Sequence, residues 1–101
     1  PATPPPIAVT AKNAAITVGV TAIRLTTDNL VPSASRRTLQ FMVDPSSSAN
    51  FWYGASTVTA TGATRGIPAF PGQNIKFDND VNDYYIIADQ AAQTCFIVEA
   101  E

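Results

Sequence analysis

The sequence predicts an all-β protein: a small antiparallel β-sandwich or jelly-roll-like barrel of seven or eight short strands. Three observations lead to this prediction. Apolar and polar residues alternate in several short runs, as they do in half-buried strands. Gly, Pro, Asn and Asp separate these runs at intervals of about 8–12 residues. No stretch has the apolar spacing of a helix, and 101 residues suffice for one domain with one core.

The chain opens with a proline-rich segment that predicts an extended N-terminal arm over residues 1–13. Pro4, Pro5 and Pro6 fix φ and remove backbone donors, which favours polyproline II and excludes a helix or a central strand. The arm, which includes the apolar Ile7, is either a disordered leader or a strap that lies across a neighbouring molecule. The sequence alone leaves both interpretations open.

Residues 14–101 are predicted to form a single β domain whose strands follow one another closely. Gly19 interrupts the first apolar run and supplies a turn or bulge. The segment DQAAQ is expected to join the last two strands as a hairpin connection. The predicted strands are Ala15–Val18, Thr21–Leu25, Arg36–Val43, Phe51–Gly54, Thr57–Thr59, Asn74–Phe77, Tyr84–Ala88 and Thr94–Ala100.

The alternation also predicts which side chains fill the core. In RRTLQFMV, Leu39, Phe41 and Val43 share one face with Arg37, and Met42 lies on the other face. In FWYG, Phe51 and Tyr53 share the core face, while Trp52 points the opposite way. An outward tryptophan on a surface with few charges indicates an anchor for a protein interface. The alternative is a shelf on which a sugar ring stacks.

Charge is scarce in this chain, which bears on its partners. Charged residues make up 14% of the sequence, well below the roughly 25% of typical domains. Such a surface suits a protein that is covered by other proteins, although an ordinary β domain with a Thr-rich exterior fits equally. The net charge is −2 and Arg36–Arg37 is the one local basic cluster. Nucleic-acid binding, which needs a basic stripe, is therefore not expected, and no apolar run is long enough to cross a membrane.

The residue inventory argues against catalysis and against a cofactor. Histidine is absent, which removes the commonest general base and metal ligand. Cys95 is the single cysteine and is expected to be a buried thiol in a strand. Paired-carboxylate chemistry needs two acids across a cleft, whereas the sequence offers no reason for the acids to converge. Those considered, all expected at strand ends or at outward positions, are Asp44, Asp83, Asp89 and Glu99.

The segment DNDVND resembles part of a calcium-binding loop but fails its central requirement. Asp78, Asp80 and Asn82 fall at positions 1, 3 and 5 of a twelve-residue calcium loop, and Asp89 falls at position 12. The sixth position needs a glycine for its sharp turn and carries Asp83 instead. A solvated turn is the favoured interpretation and no metal site is predicted, with weak divalent binding over Asp78–Asp83 left open.

The order of several motifs resembles a group of small tailed-bacteriophage virion proteins. The motifs are ITVGVTAIRL, RRTLQF, NFWYGASTVTATGATRGIPAFPGQNIKF, DYYIIA and TCFIVEA, and the likeness extends from about Ile16 to Glu99. The resemblance implies a non-enzymatic β-sandwich accessory protein, first of all a head decoration (cement) protein that binds the assembled shell and stabilises the joints between capsomers. The chain departs from the group in its PATPPP leader and in the bulky NFWYG.

The resemblance also implies partners and a location. The partners are the major capsid protein and further copies of this chain, in a homotrimer. The location is the capsid surface of the virion, after synthesis in the host cytoplasm. An acidic rim on the partner would pair with one of the two adjacent arginines. The residues assigned to the partner interface are Pro4, Pro5, Pro6, Ile7, Arg36, Arg37 and Trp52.

A carbohydrate- or receptor-binding module of a tail or head fibre is the alternative function. In that case Trp52, Tyr84 and Tyr85 would stack on sugar rings.

Overall fold

In the computed structural model the chain forms two four-stranded antiparallel sheets that enclose one core. The structure describes residues 11–27, 37–80 and 82–101. A short 3-10 turn, Gly62–Thr64, lies between the fourth and fifth strands. The strands in this described part are β1 (Ala11–Val18), β2 (Ile23–Arg24), β3 (Thr38–Val43), β4 (Phe51–Gly54), β5 (Ile67–Pro68), β6 (Ile75–Asp78), β7 (Tyr85–Ala88) and β8 (Gln93–Ala100).

The order of the strands is that of a jelly roll. The first sheet has the order β1-β8-β3-β6 and the second has β2-β7-β4-β5. Apart from β4 and β5, every pair of consecutive strands is divided between the two sheets, as in the double Greek key of jelly rolls. The predicted fold class is therefore confirmed. Among residues 11–27, 37–80 and 82–101, no helix has the length and hydrophobicity that spanning a lipid bilayer requires.

The predicted hairpin between the last two strands is wrong. β7 lies in the second sheet and β8 in the first, so Asp89–Ala92 carries the chain across the sandwich. Ala92 takes a positive φ of 58° in this connection. β8 instead pairs with β1 along its whole length, from Ala11 opposite Ala100 to Val18 opposite Gln93. β8 forms eight residue pairs with β1, which is distant in sequence, and this pairing also places the apolar face of β8 in the core. It is therefore favoured over a hairpin with β7, the neighbouring strand in sequence.

The core consists of the inward-facing residues of both sheets, as the alternation predicted. Leu39 and Phe41 of β3 are fully or almost fully buried, and so is Phe51 of β4. Tyr53 is half-buried and packs its ring edge-to-face on Phe41, with the ring centroids 5.5 Å apart. The contact continues through Phe77, whose centroid lies 6.0 Å from that of Tyr53.

Several predicted boundaries differ from the structure, and β5 was not predicted as a strand. Residues 11–13, assigned to the arm, belong to β1, while residues 1–10 lie outside the described part. The predicted strand Thr57–Thr59 is a turn with one isolated bridge from Thr59 to Arg65. The turn places Val58 in the interior beneath Gly66, which explains why this segment leaves the sheet.

Glu99, which was expected at a strand end or an outward position, is instead a buried residue of β8. It is fully buried on the inner face of β8, two residues beyond Ile97. Its Oε1 accepts hydrogen bonds from the hydroxyls of Thr26 and Thr27, each at 3.0 Å, and from the backbone N–H of Thr27. These bonds compensate for the desolvation of the carboxylate and attach the segment after β2 to the opposite sheet.

Candidate functional site

The acidic residues are held in separate local contacts. Asp44 accepts from the backbone and the hydroxyl of Ser46, and these hydrogen bonds lower the pKa of its carboxyl below the usual value. Asp89 accepts from the side-chain and backbone amides of Asn50 at 2.8 and 2.9 Å, which lowers its pKa in the same way. Each carboxylate thus stabilises a connection between strands.

The described residues of the DNDVND segment are held by local hydrogen bonds and an ion pair. Asp80 accepts from the backbone N–H of Asn82 at 2.8 Å and from the hydroxyl of Tyr84. Asp83 turns away to Arg24, whose Nε lies 2.9 Å from its Oδ1. Asp89, the twelfth position of the calcium pattern, binds Asn50 instead. Across the described ranges, no three His, Cys, Asp or Glu residues form a group that could hold a metal ion.

Cys95 lies at the centre of the core with no exposed surface. Burial raises the pKa of its thiol to about 12, because the thiolate would lose its hydration. The group is therefore a protonated, inert side chain at neutral pH, as the sequence predicted.

An exposed apolar surface lies on the outer face of the first sheet, and it is here named the Phe96 face. Phe96 and Val98 of β8 are 46% and 41% exposed. Met42 of β3 and Ala15 of β1 lie opposite Phe96 on the two neighbouring strands. Gln40 is the cross-strand partner of Val98. These residues border a shallow depression of about 390 Å³.

The β6 edge of the Phe96 face carries a pair of charges. Lys76 and Asp78 of β6 form a loose pair there, with 3.6 Å between Nζ and Oδ1. The centre presents apolar side chains, and uncharged residues such as Asn13 and Gln40 border it. A partner that covers this face would therefore desolvate few charges.

The second surface is a narrow slot of about 210 Å³ on the second sheet, here named the Trp52 slot. Trp52 of β4 is half-buried and lies opposite Pro68 of β5. Phe70, which is 65% exposed, and Pro71 complete the apolar wall. The indole N–H of Trp52 donates to no group in the described part of the chain.

A third depression, of about 760 Å³, opens beside the end of β4. The aromatic rings of Tyr53, Phe77 and Tyr84 line it, and Phe77 and Tyr84 stack with their centroids 4.2 Å apart and their planes 5° from parallel. Its charged lining residues are Arg65 and Asp83. The lining provides no nucleophile with an adjacent base, which nucleophilic catalysis requires.

The structure does not bring the described interface residues together. Trp52 lies in its slot on the second sheet. Arg37 is exposed at the opposite end of the sandwich, where its backbone N–H donates to Ala100. The other predicted interface residues lie outside the described part of the chain, and these are Pro4, Pro5, Pro6, Ile7 and Arg36.

The three rings of the carbohydrate alternative do not form one platform. Trp52 and Tyr85 belong to the outer face of the second sheet. Tyr84 packs against the core and has one ring face covered by Phe77.

Sequence reasoning missed the most exposed apolar side chains of both surfaces. The signal for Phe96 and Val98 was present, since the alternation of TCFIVEA puts them opposite the buried Cys95 and Ile97. No such signal exists for Phe70, because it lies in a loop where periodicity gives no orientation.

Comparison with known proteins gives a distant structural match. No protein-family model and no curated protein matches this chain. A solved structure described as a Bacillus endospore appendage, from a family of disulfide-linked pili, is 20% identical and has a TM-score of 0.41. The alignment covers 90% of this chain and 86% of that one. A likeness at this level carries no conclusion about function.

Proposed function

We propose that this protein is a non-enzymatic accessory protein of a phage virion, a decoration protein that binds the assembled capsid and stabilises the joints between capsomers. The observation that carries the proposal is the Phe96 face. It is a sheet surface with exposed Phe96 and Val98 at its centre and the charged pair Lys76 and Asp78 at its edge. Its partner is the major capsid protein, and its place is the capsid surface.

The chemistry of the Phe96 face suits a protein partner. Covering apolar surface is favourable by roughly 25 cal/mol per Å², and a face with few charges adds little desolvation penalty. The fully buried centres of protein interfaces are likewise depleted in charge and enriched in Phe and Met. Phe96 and Met42 provide such a centre, with Gln40 and Asn13 as a polar border.

Two further considerations support a virion protein. Jelly rolls are a common architecture of viral capsid domains, which is an analogy at the level of the fold. The motif order from Ile16 to Glu99 resembles small virion proteins of tailed phages. A protein that binds the assembled shell alone stabilises it by mass action, and many symmetry-related copies multiply a modest affinity for each site.

The proposal includes self-association as a homotrimer. A trimer places three Phe96 faces on one assembly, so that the capsid is held through several contacts at once.

Co-sedimentation with purified undecorated phage shells tests this function. We expect Val98→Asp to weaken shell binding by about ten-fold or more, because it buries an unpaired carboxylate at the interface. Val20→Asp is the matched control, since Val20 is 63% exposed and lies outside the Phe96 face. Thermal melting of both variants checks the fold. Equal shell binding by the two variants would show that the Phe96 face is not the docking surface.

The carbohydrate-binding alternative keeps one observation in its favour, the shared outer face of Trp52 and Tyr85. Host polysaccharide would then quench the emission of Trp52, the single tryptophan. The decoration proposal predicts unchanged emission, and saturable quenching would replace it with the alternative.

A further inference from the structure

The Trp52 slot has the chemistry of a site for a proline-rich peptide. Domains that bind polyproline II segments do so with aromatic-lined grooves. The ring of Trp52, the exposed Phe70 and the prolines Pro68 and Pro71 form such a lining. A polyproline II segment has no internal hydrogen bonds, so its carbonyls are free to accept. The indole N–H of Trp52, which has no partner in the described residues, is a suitable donor.

This chain contains a matching ligand in its own N-terminal segment. The sequence PATPPPI includes the consecutive prolines Pro4, Pro5 and Pro6, followed by Ile7. These prolines favour polyproline II before binding, which reduces the entropy lost on docking. The segment is also uncharged from Pro1 to Val9, in keeping with the uncharged lining of the slot.

The prolines of one copy cannot reach the Trp52 slot of that same copy. β1 begins at Ala11, and Gly19 lies just beyond its other end. The carbonyl of Gly19 accepts from the N–H of Ala88, and Ala88 pairs with Phe51, the residue before Trp52. The slot therefore lies about 20 Å from Ala11 along the strands and about 10 Å further across the sandwich. The link from Pro6 to Ala11 spans at most about 18 Å, and it would also have to pass around the edge of a sheet.

We propose that the Pro4–Pro6 segment of one copy binds the Trp52 slot of a second copy of this chain. The prolines stack on Trp52 and Phe70, and the indole N–H donates to a proline-segment carbonyl. This inference deepens the self-association that forms part of the proposed function, and it uses a surface separate from the Phe96 face. Ala11, where β1 begins, and the slot lie at opposite ends of the sandwich, so we expect a head-to-tail contact, which gives a ring where the rotation between copies closes and an open filament where it does not.

The mass of the intact protein in solution, measured by light scattering over a range of concentrations, provides the first test. We expect an oligomer that dissociates on dilution. The triple variant Pro4→Ala/Pro5→Ala/Pro6→Ala and the slot variant Phe70→Ser should each raise the dissociation constant about ten-fold or more. Val20→Ser is the control, because Val20 has nearly the same exposure as Phe70 and does not line the slot. An intact protein that is monomeric throughout, or a Phe70→Ser variant with unchanged association, would overturn the inference.

Mixing the two defective variants tests the head-to-tail geometry. The triple-proline variant retains an intact slot, and Phe70→Ser retains an intact arm. An equimolar mixture should therefore give a dimer and no larger species, since only one kind of contact remains. A mixture that stays monomeric would contradict the inference.

A peptide corresponding to residues 1–8 provides a direct readout through Trp52 fluorescence. Added to the triple-proline variant, whose slot is free, it should shift the emission of Trp52 in a saturable way. No shift would refute the slot as a proline site. If the peptide shifts the emission of Trp52 but light scattering shows that the intact protein is monomeric, the occupant of the slot is not a second copy. Shell co-sedimentation of Phe70→Ser at high protein concentration separates this test from the proposed function. The Phe96 face is intact in this variant, so it should still bind shells, although more weakly than the intact protein because it lacks the several contacts of an oligomer.

Discussion

Glu99 is the residue on which the contact between β8 and the segment after β2 depends. Its Oε1 is the acceptor for the hydroxyl and backbone N–H of Thr27, which is itself fully buried. A buried donor without an acceptor costs about 1–3 kcal/mol. One carboxylate therefore stabilises a connection that the apolar contacts alone do not determine.

Glu99→Ala should lower the free energy of unfolding by about 3 kcal/mol, because several buried donors lose their acceptor together. Glu99→Gln keeps one side-chain oxygen and should cost less. Urea unfolding of the two variants measures the difference. The control is Glu101→Ala, since Glu101 is exposed and its replacement should change stability by no more than about 0.5 kcal/mol. Similar stabilities for Glu99→Ala and Glu101→Ala would contradict this role.

At the scale of elements, the long connection between β4 and β5 is held close to the sheet by Gly66. A Cβ at this position would lie 2.3 Å from the carbonyl oxygen of Tyr53 and 2.6 Å from Cγ2 of Val58. Because Gly66 has no side chain, β5 can pair with β4, and the backbone at Gly66 covers the buried Val58. The walls of the Trp52 slot depend on this pairing, because Pro68 of β5 faces Trp52 of β4.

Gly66→Ala should destabilise the protein by about 2–3 kcal/mol, since the clash is with backbone and the strand must move. Thermal unfolding followed by circular dichroism provides the measurement. Gly19→Ala is the matched control, because the nearest atom to its added Cβ, the Cα of Ala91, lies at 3.8 Å, an ordinary contact distance. A Gly66→Ala variant as stable as Gly19→Ala would show that β5 adjusts without cost.

At the scale of the whole molecule, the jelly roll closes one core between two sheets, and Cys95 reports on its integrity. The thiol has no exposed surface, and burial raises its pKa to about 12 from an ordinary value of 9.0. Reagents that need a thiolate therefore reach it only when the sandwich opens.

Iodoacetamide should modify Cys95 at a rate set by global unfolding, and stabilising conditions should slow the reaction in proportion. The pH dependence has a definite sign. The unfolded chain releases the thiol proton above pH 9 while the native one retains it, so the free energy of unfolding should fall as pH rises from 9 towards 12. Cys95→Ala should lack this part of the fall. Rapid alkylation of the native protein would contradict the buried position.

The sequence by itself determined the fold class, most strand positions and the inward orientation of Leu39, Phe41 and Phe51. These follow from local alternation, whose period of two assigns each side chain to a face wherever one face is buried. The Phe96 face was also implicit in this pattern. The lone cysteine and the absence of histidine are likewise read directly from the sequence.

Only the tertiary structure decided which strands pair and which side chains meet. The separation of β7 from β8, the hydrogen-bond partners of Glu99 and the assembly of the Trp52 slot from β4, β5 and the segment after it all depend on contacts between residues far apart in sequence. Local patterning assigns a side chain to a face but not the partner opposite that face. The partner is selected by the packing of both sheets at once, because every buried polar group must find an acceptor or donor in the same arrangement that excludes water from the apolar residues.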